Sequence, residues 1–417
     1  MGGYSDRENR ADWVVVHTAL GRIGGAERQL LRFVQAARDH GERIDLYYAG
    51  PPFPELEAMG NLYTGPKSGD LAGTIRAYWS TLRELRRYRS ILIYHHVEPV
   101  LLGLITALYG ERCVVYLGEP LRPLWEEYVS GDGSLVSFPE MRKTVEQLYG
   151  HRASFLVNQP AVMWLLVRVL RQWDRMSIRR AGILLGNSVF TSRVLQRVYR
   201  LTEPPGVVYQ GLPETPETPV EAPSSPTVLA VGAFIPHKDQ ETLLRAWTIV
   251  ESRPEFPDAR LVLVGNGPTR AACEELSRNL GLRRVRFEPA ISEIALANLY
   301  EQASVLVHPA IAEPFGMAPL EAARHRVPSI VADSGGITEF VRNGENGRIF
   351  PPRDATTLAD LISSMLANHP ERVRMGFEAY RKQRTLFTIE RTALQLLGFA
   401  GARLLPRSKD RSLPSPL

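Results

Sequence analysis

The sequence predicts an α/β protein built from two similar halves. In each half, short apolar runs typical of buried parallel strands alternate with segments of helical periodicity. Glycine turns follow several of these runs, at the edge where open α/β sheets bind their ligands. Residues 213–226 contain five prolines and three glutamates, a composition typical of a linker. We therefore expect two Rossmann-like domains joined by this segment.

The first half begins with a βαβ unit. The apolar run Trp13–His17 is followed by a glycine loop and by a helix whose apolar residues, from Ala26 to Ala37, share one face. A second strand follows at 44–49. Residues 50–70 are predicted to be a loop, and residues 125–180 to be helical and irregular. Further strands are expected at 91–95, 113–117, 183–186 and 207–209, with helices at 71–87, 100–109 and 190–199.

The second half repeats the alternation. Strands are expected at 228–231, 261–264, 285–287, 304–308 and 329–332, and helices at 241–250, 270–280, 294–302, 319–325 and 356–367, with another beginning at Ile337. A helical tail, 371–404, is broken near Thr388. The predicted domains are 1–212 and 227–385, followed by a helix at 386–404 that returns to the first domain and a disordered tail at 405–417.

Composition narrows the class of ligand. The 417 residues are 44% hydrophobic and 23% charged, with a net charge of +5 that is not concentrated in a basic aromatic stripe. This disfavours nucleic acid and favours anionic small molecules or an anionic membrane surface. Two cysteines far apart and a polar amino terminus predict a cytoplasmic protein without disulfides or a signal peptide.

An apolar segment at residues 161–170 is too short to span a membrane, and arginines follow it. The favoured interpretation is a helix packed on its own domain. The alternative is a basic amphipathic helix at the inner face of a membrane.

The most informative stretch is EPFGMAPLE, Glu313 to Glu321. It joins a predicted strand to a predicted helix, so free backbone N–H groups and two carboxylates can face one crevice. Phosphates would bind the N–H groups and hydroxyls the carboxylates, as a nucleotide sugar requires. The alternative is two unrelated surface glutamates. Lys238, after the first strand of this half, can neutralise a diphosphate leaving group. No metal-ligand cluster is expected.

Polar residues also follow strands of the first half. His95, His96, Glu119 and Arg122 lie at predicted strand ends, the functional edge of such a sheet. We expect His95, His96 and Arg122 to face an acceptor substrate.

Several motifs together resemble one family. They are GGAERQL (24–30), GNSVFTSR (186–193), VVYQGLP (207–213), VGAFIPHKD (231–239), LVLVGNGP (261–268), HPAIAEPFGMAPLEA (308–322), DSGGITEFV (333–341) and NGRIFPP (346–352). In these the chain is similar to family 4 glycosyltransferases of the GT-B fold. The resemblance implies two Rossmann-like domains facing each other across a cleft, and transfer of a sugar from a nucleotide diphosphate with retention, without metal or cofactor.

The resemblance also implies residue roles. Glu313 would hold donor-sugar hydroxyls, Glu321 the ribose, and Lys238 the diphosphate. Glu119, as a stand-in where the chain departs from the family pattern, completes the predicted catalytic set. The remaining residues expected to bind the donor are Phe315, Gly316, Met317, Gly24, Gly25, Gly265, Gly267, Arg270 and Gly336.

Two positions depart from the family pattern. Ala233 stands where an arginine is usual, and Arg22 or Arg270 could replace that contact. Gly118 stands near the place of a usual histidine, for which Glu119, His95 or His96 could substitute. The best estimate is mannosyl transfer from GDP-mannose, with GDP- or UDP-sugars as donors, to a glycan or lipid-linked acceptor. The alternatives are a catalytically impaired nucleotide-binding scaffold and an epimerase-like enzyme.

Overall fold

The computed structural model describes residues 12–18, 25–49, 62–64, 71–95, 97–121, 124–125, 160–214 and 226–401. The chain divides into two compact units. Unit 1 comprises Met1–Gln210 together with Ile389–Leu417, and unit 2 comprises Gly211–Thr388. Most of the predicted linker, at 215–225, lies outside the described residues.

Unit 1 contains a seven-stranded parallel sheet with the order β3-β2-β1-β4-β5-β6-β7. The prediction of a loop over 50–70 is wrong at Leu62–Thr64, because this three-residue strand is too short to show a period. The strands are β1 Trp13–Thr18, β2 Ile44–Ala49, β3 Leu62–Thr64, β4 Ser90–Tyr94, β5 Cys113–Leu117, β6 Ile183–Gly186 and β7 Gly206–Val207.

The helices of unit 1 begin where the sequence supplies caps. Glu98 accepts from Leu101 N at the start of one helix, and Ser188 accepts from Thr191 N at the start of another. A 3-10 turn spans Gly110–Arg112. The helices are α1 Gly25–Asp39, α2 Leu71–Leu85, α3 Pro99–Tyr109, α4 Pro160–Arg179, α5 Val189–Tyr199 and, from the end of the chain, α13 Ile389–Gly401.

Unit 2 contains a six-stranded parallel sheet with the order β10-β9-β8-β11-β12-β13. Its last strand lies in a segment for which no strand was predicted. The strands are β8 Thr227–Val231, β9 Arg260–Val264, β10 Val285–Glu288, β11 Val305–His308, β12 Ser329–Ala332 and β13 Gly347–Phe350.

Helices separate these strands along the chain, which gives the parallel connections. A 3-10 turn, Pro236–Lys238, follows β8. The helices are α6 Gln240–Ser252, α7 Arg270–Asn279, α8 Glu293–Glu301, α9 Met317–Arg324, α10 Ile337–Phe340, α11 Ala355–Ala367 and α12 His369–Leu386. The predicted α/β class is confirmed in both units.

The carboxyl-terminal helix belongs to the core of unit 1, as predicted. The predicted break near Thr388 separates α12 from α13, and Thr392 Oγ1 donates to Tyr209 O at 2.7 Å. Ala393, Leu396 and Leu397 of α13 share one buried cluster with the apolar face of α1. Within the described ranges, no helix is both long and apolar enough to cross a membrane.

Replacing Leu396 by alanine should therefore destabilise unit 1. Leu396 is 1% exposed, and truncating a buried leucine to alanine typically lowers the free energy of unfolding by about 2–5 kcal/mol. Leu394→Ala is the matched control, because Leu394 on the same helix is 53% exposed, and its effect should stay within about 0.5 kcal/mol. Urea unfolding measures both. Equal stability of the two variants would contradict the packing of α13 in this core.

Candidate active site

The candidate site lies at the carboxyl edge of the unit 2 sheet. In the strand order, β8 and β11 are neighbours although two strands separate them in sequence. The chain progresses to opposite sides of the sheet from this pair, which makes it the topological switch point where such sheets bind ligands. The segments that leave the two strands carry Lys238 and Glu313.

Lys238 and Glu313 form an ion pair at this point. Lys238 Nζ donates to Glu313 Oε2 at 2.6 Å, and their side chains are 16% and 14% exposed. Burial acts to raise the pKa of Glu313, but the positive charges of Lys238 and of a protonated His308 outweigh it and lower the pKa to about 2. Glu313 is therefore a permanent carboxylate, able to accept hydrogen bonds from hydroxyls.

Backbone contacts hold the Glu313 segment from both sides. Ile311 N donates to His237 O at 2.7 Å, in the turn after β8. Ala312 N donates to Ser334 Oγ at 2.8 Å, in the segment after β12. Loops from three neighbouring strands thus meet around Glu313.

Gly335 and Gly336 close this arrangement. Gly336 N donates to Glu313 O at 2.8 Å. Gly335 has φ +82°, and a Cβ there would lie 2.2 Å from Glu313 O, so no larger residue fits without displacing the Glu313 backbone. Gly336, predicted to bind donor, therefore holds Glu313 in the structure; its contact with a donor stays a prediction.

His308 is a buried group of this site that the sequence analysis did not single out. It ends β11, is 3% exposed, and its Nε2 has no hydrogen-bond partner among the described residues. A Cβ at Gly316 would lie 3.3 Å from that nitrogen, so the imidazole lies close to the glycine turn. Burial, and then the charge of Lys238, lower the pKa of His308 to about 4. Its position at a strand end was the signal available in the sequence.

The turn between Glu313 and α9 presents backbone rather than aromatic surface. The Phe315 ring is buried and packs against Phe387, with ring centroids 5.7 Å apart, so its side chain faces the core. Gly316 is the N-cap of α9 and supplies no side-chain acceptor to the first N–H groups of the helix. Met317 is the first, half-buried helical residue. A helix start of this kind favours an anion.

Glu321, on α9, receives a hydrogen bond from inside the unit. The hydroxyl of Tyr300, near the end of α8, donates to Glu321 Oε2 at 2.9 Å. Glu321 is half-buried, and no ion pair to it occurs among the described residues. Tyr300 is the second contributor that the sequence analysis missed, because nothing in the spacing of the two residues links α8 to α9.

The glycine turn after β9 packs against the segment after β8. Phe234 N donates to Asn266 O at 3.0 Å, and Cβ atoms at Gly265 and Gly267 would meet the carbonyl oxygens of Gly232 and Phe234. Arg270 links this turn to β10: it donates to Gly265 O in the turn and to Glu288 O at the end of β10, both at 2.9 Å, and it pairs with Glu274 on its own helix. The described contacts of Arg270 thus stabilise the turn, and its predicted contact with a diphosphate stays a prediction.

Residues predicted on the acceptor side lie in unit 1. His95 is buried with φ +60°, accepts from Gly118 N through Nδ1 at 3.1 Å, and its Nε2 is 2.8 Å from the Gln210 amide. A Cβ at Gly118 would lie 2.6 Å from His95 Nδ1, so the His95 ring occupies the space beside Gly118. Glu119 is half-buried, and Gly25 begins α1, where no atom of the described residues lies within 4 Å of the position that a Cβ would take. Gly24, His96, Arg122 and Arg22 lie outside the described residues.

A histidine–glutamate pair lies at the switch point of unit 1, between β1 and β4, and was not predicted. His17 Nδ1 is 2.7 Å from Tyr94 O, and its Nε2 is 3.5 Å from Glu27 Oε1 in the first turn of α1. No group of three or more histidine, cysteine, aspartate or glutamate side chains within the described ranges could hold a metal ion.

The low pKa of His308 predicts acid sensitivity. As pH falls, the unfolded chain takes up the proton near 6.5 and the folded chain only near 4, so stability is lost across this window, by roughly 3 kcal/mol. His308→Gln cannot titrate, so the difference in free energy of unfolding between the two proteins should change across this window and be constant above it. Urea unfolding at several pH values measures this.

The exposed His369 supplies the control for that experiment. His369→Gln should leave the wild-type pH dependence intact. Parallel curves for wild type and His308→Gln would contradict the assignment of a buried, neutral His308.

Comparison with known proteins agrees with the resemblance seen in the sequence. Residues 213–382 match the family model of "Glycosyl transferases group 1". A D-inositol 3-phosphate glycosyltransferase from Streptomyces coelicolor is 32% identical over 161 residues, which cover 37% of this chain and 35% of the relative. An uncharacterised glycosyltransferase from Bacillus subtilis is 31% identical over 157 residues, 37% of this chain and 43% of the relative. The chain thus spans less than half the length of these relatives.

Solved structures share the fold across nearly the whole chain. Sucrose-phosphate synthase from Thermosynechococcus elongatus has a TM-score of 0.71 at 21% identity, covering 95% of this chain and 99% of its own. HepE from Anabaena, in complex with UDP-glucose, has a TM-score of 0.67 at 18% identity, covering 94% and 99%. The predicted GT-B fold is therefore confirmed, and the similarity to the group 1 glycosyl transferases covers residues 213–382.

Proposed function

We propose that this protein is a glycosyltransferase that moves a sugar from a nucleotide diphosphate donor to a hydroxyl of an acceptor, with retention of configuration. The observation that carries the proposal is the ion pair between Lys238 and Glu313 at the switch point of unit 2. It places a fixed carboxylate and a cation side by side, next to the amino terminus of α9. A sugar diphosphate likewise has hydroxyls, which the carboxylate can bind, close to negative charge, which the cation can bind.

Each group of the site has a role in such a transfer. The bond between the anomeric carbon and the diphosphate oxygen breaks, and the acceptor oxygen takes its place on the same face of the sugar. The negative charge that develops on the leaving diphosphate would be met by Lys238 and by the N–H groups at the start of α9. Glu313, ionised because its pKa is about 2, would accept hydrogen bonds from the sugar hydroxyls and so position the ring.

Lys238 does not have to leave Glu313 to bind the donor. An ammonium group has three N–H donors, and Glu313 Oε2 uses one of them. The remaining two can face a phosphate while the ion pair persists. This supports transfer without a metal ion, because a protein cation is already placed for the diphosphate.

Solved structures of the same fold suggest which nucleotide sugar could be the donor. HepE was crystallised with UDP-glucose, and TarM from Staphylococcus aureus, of the same fold, with UDP. These favour a UDP-sugar, whereas the local motifs of this chain favoured GDP-mannose. We propose that the donor is one of these two classes, and that the acceptor is a glycan or a lipid-linked molecule bound in unit 1. His95, together with His96 and Arg122 beyond the described residues, are the proposed acceptor-side contacts, and Glu119 is the proposed catalytic residue of unit 1.

A second candidate is a nucleotide-binding protein with impaired transfer. Ala233, an exposed residue shortly after β8, cannot contribute the cation that an arginine would supply there. Arg270, one proposed substitute, already binds Gly265 O in the turn after β9 and Glu288 O at the end of β10. This candidate binds nucleoside diphosphates but turns over no donor.

Substitutions in the ion pair test the main proposal. With a panel of UDP- and GDP-sugars, Glu313→Gln and Lys238→Ala should each lower kcat/KM by about 10²–10³, because each removes a charged contact made in the transition state. Product transfer or sugar release is measured by chromatography, with and without EDTA. Arg245→Ala, in an exposed pair with Glu241 on α6, is the control and should remain as active as wild type.

Three outcomes separate the candidates. Turnover that survives both substitutions would show that the site is misplaced. Tight binding of UDP or GDP without turnover of any donor would favour the impaired protein. Loss of turnover in EDTA would contradict metal independence.

We also propose that α4 contacts an anionic membrane surface. Its inner face is anchored, because Asp174 accepts from Trp125 Nε1 at 2.8 Å and Trp173 Nε1 donates to Pro99 O at 2.9 Å. Its outer face carries Leu165 and Val169, 58% and 57% exposed, beside the exposed Arg168. Exposed apolar side chains flanked by arginine are typical of interfacial helices.

Vesicle co-sedimentation tests this contact. Wild type should bind vesicles of phosphatidylglycerol and phosphatidylcholine more tightly than vesicles of phosphatidylcholine alone. The double variant Leu165→Glu/Val169→Glu should bind the anionic vesicles about tenfold less, since it loses buried apolar area and gains repulsion. Ile294→Glu, at a 79% exposed site in unit 2, is the control. Equal sedimentation of all three proteins would contradict the proposal.

A further inference from the structure

Glu321 differs from Glu313 in how its charge is satisfied. Glu313 has the lysine ammonium, whereas Glu321 is half-buried and takes part in no ion pair among the described residues. Its hydrogen bond is with a neutral group, the phenol of Tyr300. A half-buried carboxylate without a cation gains most from further hydrogen-bond donors.

The direction of the Tyr300 hydrogen bond is fixed. Burial, and then the nearby charge of Glu321, hold the pKa of Tyr300 well above its usual value, so the phenol keeps its proton. A protonated phenol has one O–H to donate, and it is directed at Glu321 Oε2. The other carboxylate oxygen of Glu321 accepts no hydrogen bond from the described residues and is not fully buried. One oxygen is thus anchored from inside while the other remains for a ligand.

Tyr300 itself is rigidly held. It is 2% exposed and belongs to a buried cluster with Leu306 of β11 and Ala322 of α9. On its other side the ring stacks on His325, with centroids 5.5 Å apart and planes 12° apart. The core therefore fixes the position of the phenol oxygen, and its hydrogen bond fixes the orientation of the Glu321 carboxylate.

We propose that Tyr300 is a positioning residue that orients Glu321 toward the two ribose hydroxyls of a nucleoside diphosphate. A vicinal diol offers two O–H donors on one side, which match the free lone pairs of a carboxylate held by one oxygen. The inference rests on the proposed function, since it assumes that a nucleotide donor occupies the site. It adds that recognition of ribose depends on a side chain that does not touch the nucleotide.

The test compares ligands that differ only in the diol. Isothermal titration calorimetry would measure Kd for UDP and GDP, and for their 2′,3′-dideoxy analogues, with wild type and Tyr300→Phe. Wild type should prefer the ribonucleotide by about tenfold or more. Tyr300→Phe should weaken ribonucleotide binding by about 3- to 10-fold and leave the dideoxy analogue unchanged. A purely structural role of Tyr300 would weaken both ligands equally.

Two further variants sharpen the result. In a Glu321→Gln background, Tyr300→Phe should have little additional effect, because the two residues act as one unit. Tyr380→Phe removes a hydroxyl that accepts from Arg384 elsewhere in unit 2, and should leave both affinities at wild-type values.

Failure of this inference can be told from failure of the proposed function. If wild type binds neither UDP nor GDP, the proposed function and the inference both fall. If wild type prefers the ribonucleotide and Tyr300→Phe keeps that preference, or weakens both ligands equally, only the role of Tyr300 is overturned.

Discussion

The ion pair between Lys238 and Glu313 is the interaction on which the candidate site depends. A carboxylate with little solvent contact needs a counter-charge, because an unpaired buried charge costs several kcal/mol. The cation comes from the segment after β8 and the carboxylate from the segment after β11, 75 positions apart in sequence. They meet because β8 and β11 are neighbours in the sheet. The ion pair, and with it the candidate site, therefore depends on the strand order of the sheet.

The backbone around the pair carries strain that the surrounding structure balances. Ala312 has φ +52°, which is unfavourable for a residue with a Cβ, and it precedes Glu313 directly. Its N–H is held by Ser334 Oγ, and the Glu313 carbonyl is held by Gly336 N. Strained backbone persists where neighbours overdetermine it, and such places are often functional. Here the constraint fixes the direction of one carboxylate.

Strand periodicity and glycine turns were enough to predict both sheets except β3 and β13, and the position of Glu313 after β11, since local pattern determines strand ends. They could not predict β3, which has three residues, or the partners of side chains. Arg270 illustrates the second limit: the sequence shows an arginine at a strand edge, but only the structure shows its guanidinium bound to Gly265 O and Glu288 O. His308 and Tyr300 were missed for the same reason, because their roles depend on neighbours that are distant in sequence.

The two switch points carry similar groups in different electrostatic settings. In unit 2, His308 lies near a glutamate whose charge Lys238 fixes at every pH above about 2. In unit 1, His17 lies 3.5 Å from Glu27, and their attraction exists only while His17 is protonated. A permanent ion pair suits a ligand that brings both hydroxyls and lasting negative charge. On electrostatic grounds, this difference supports the proposal that the diphosphate end of a donor binds in unit 2.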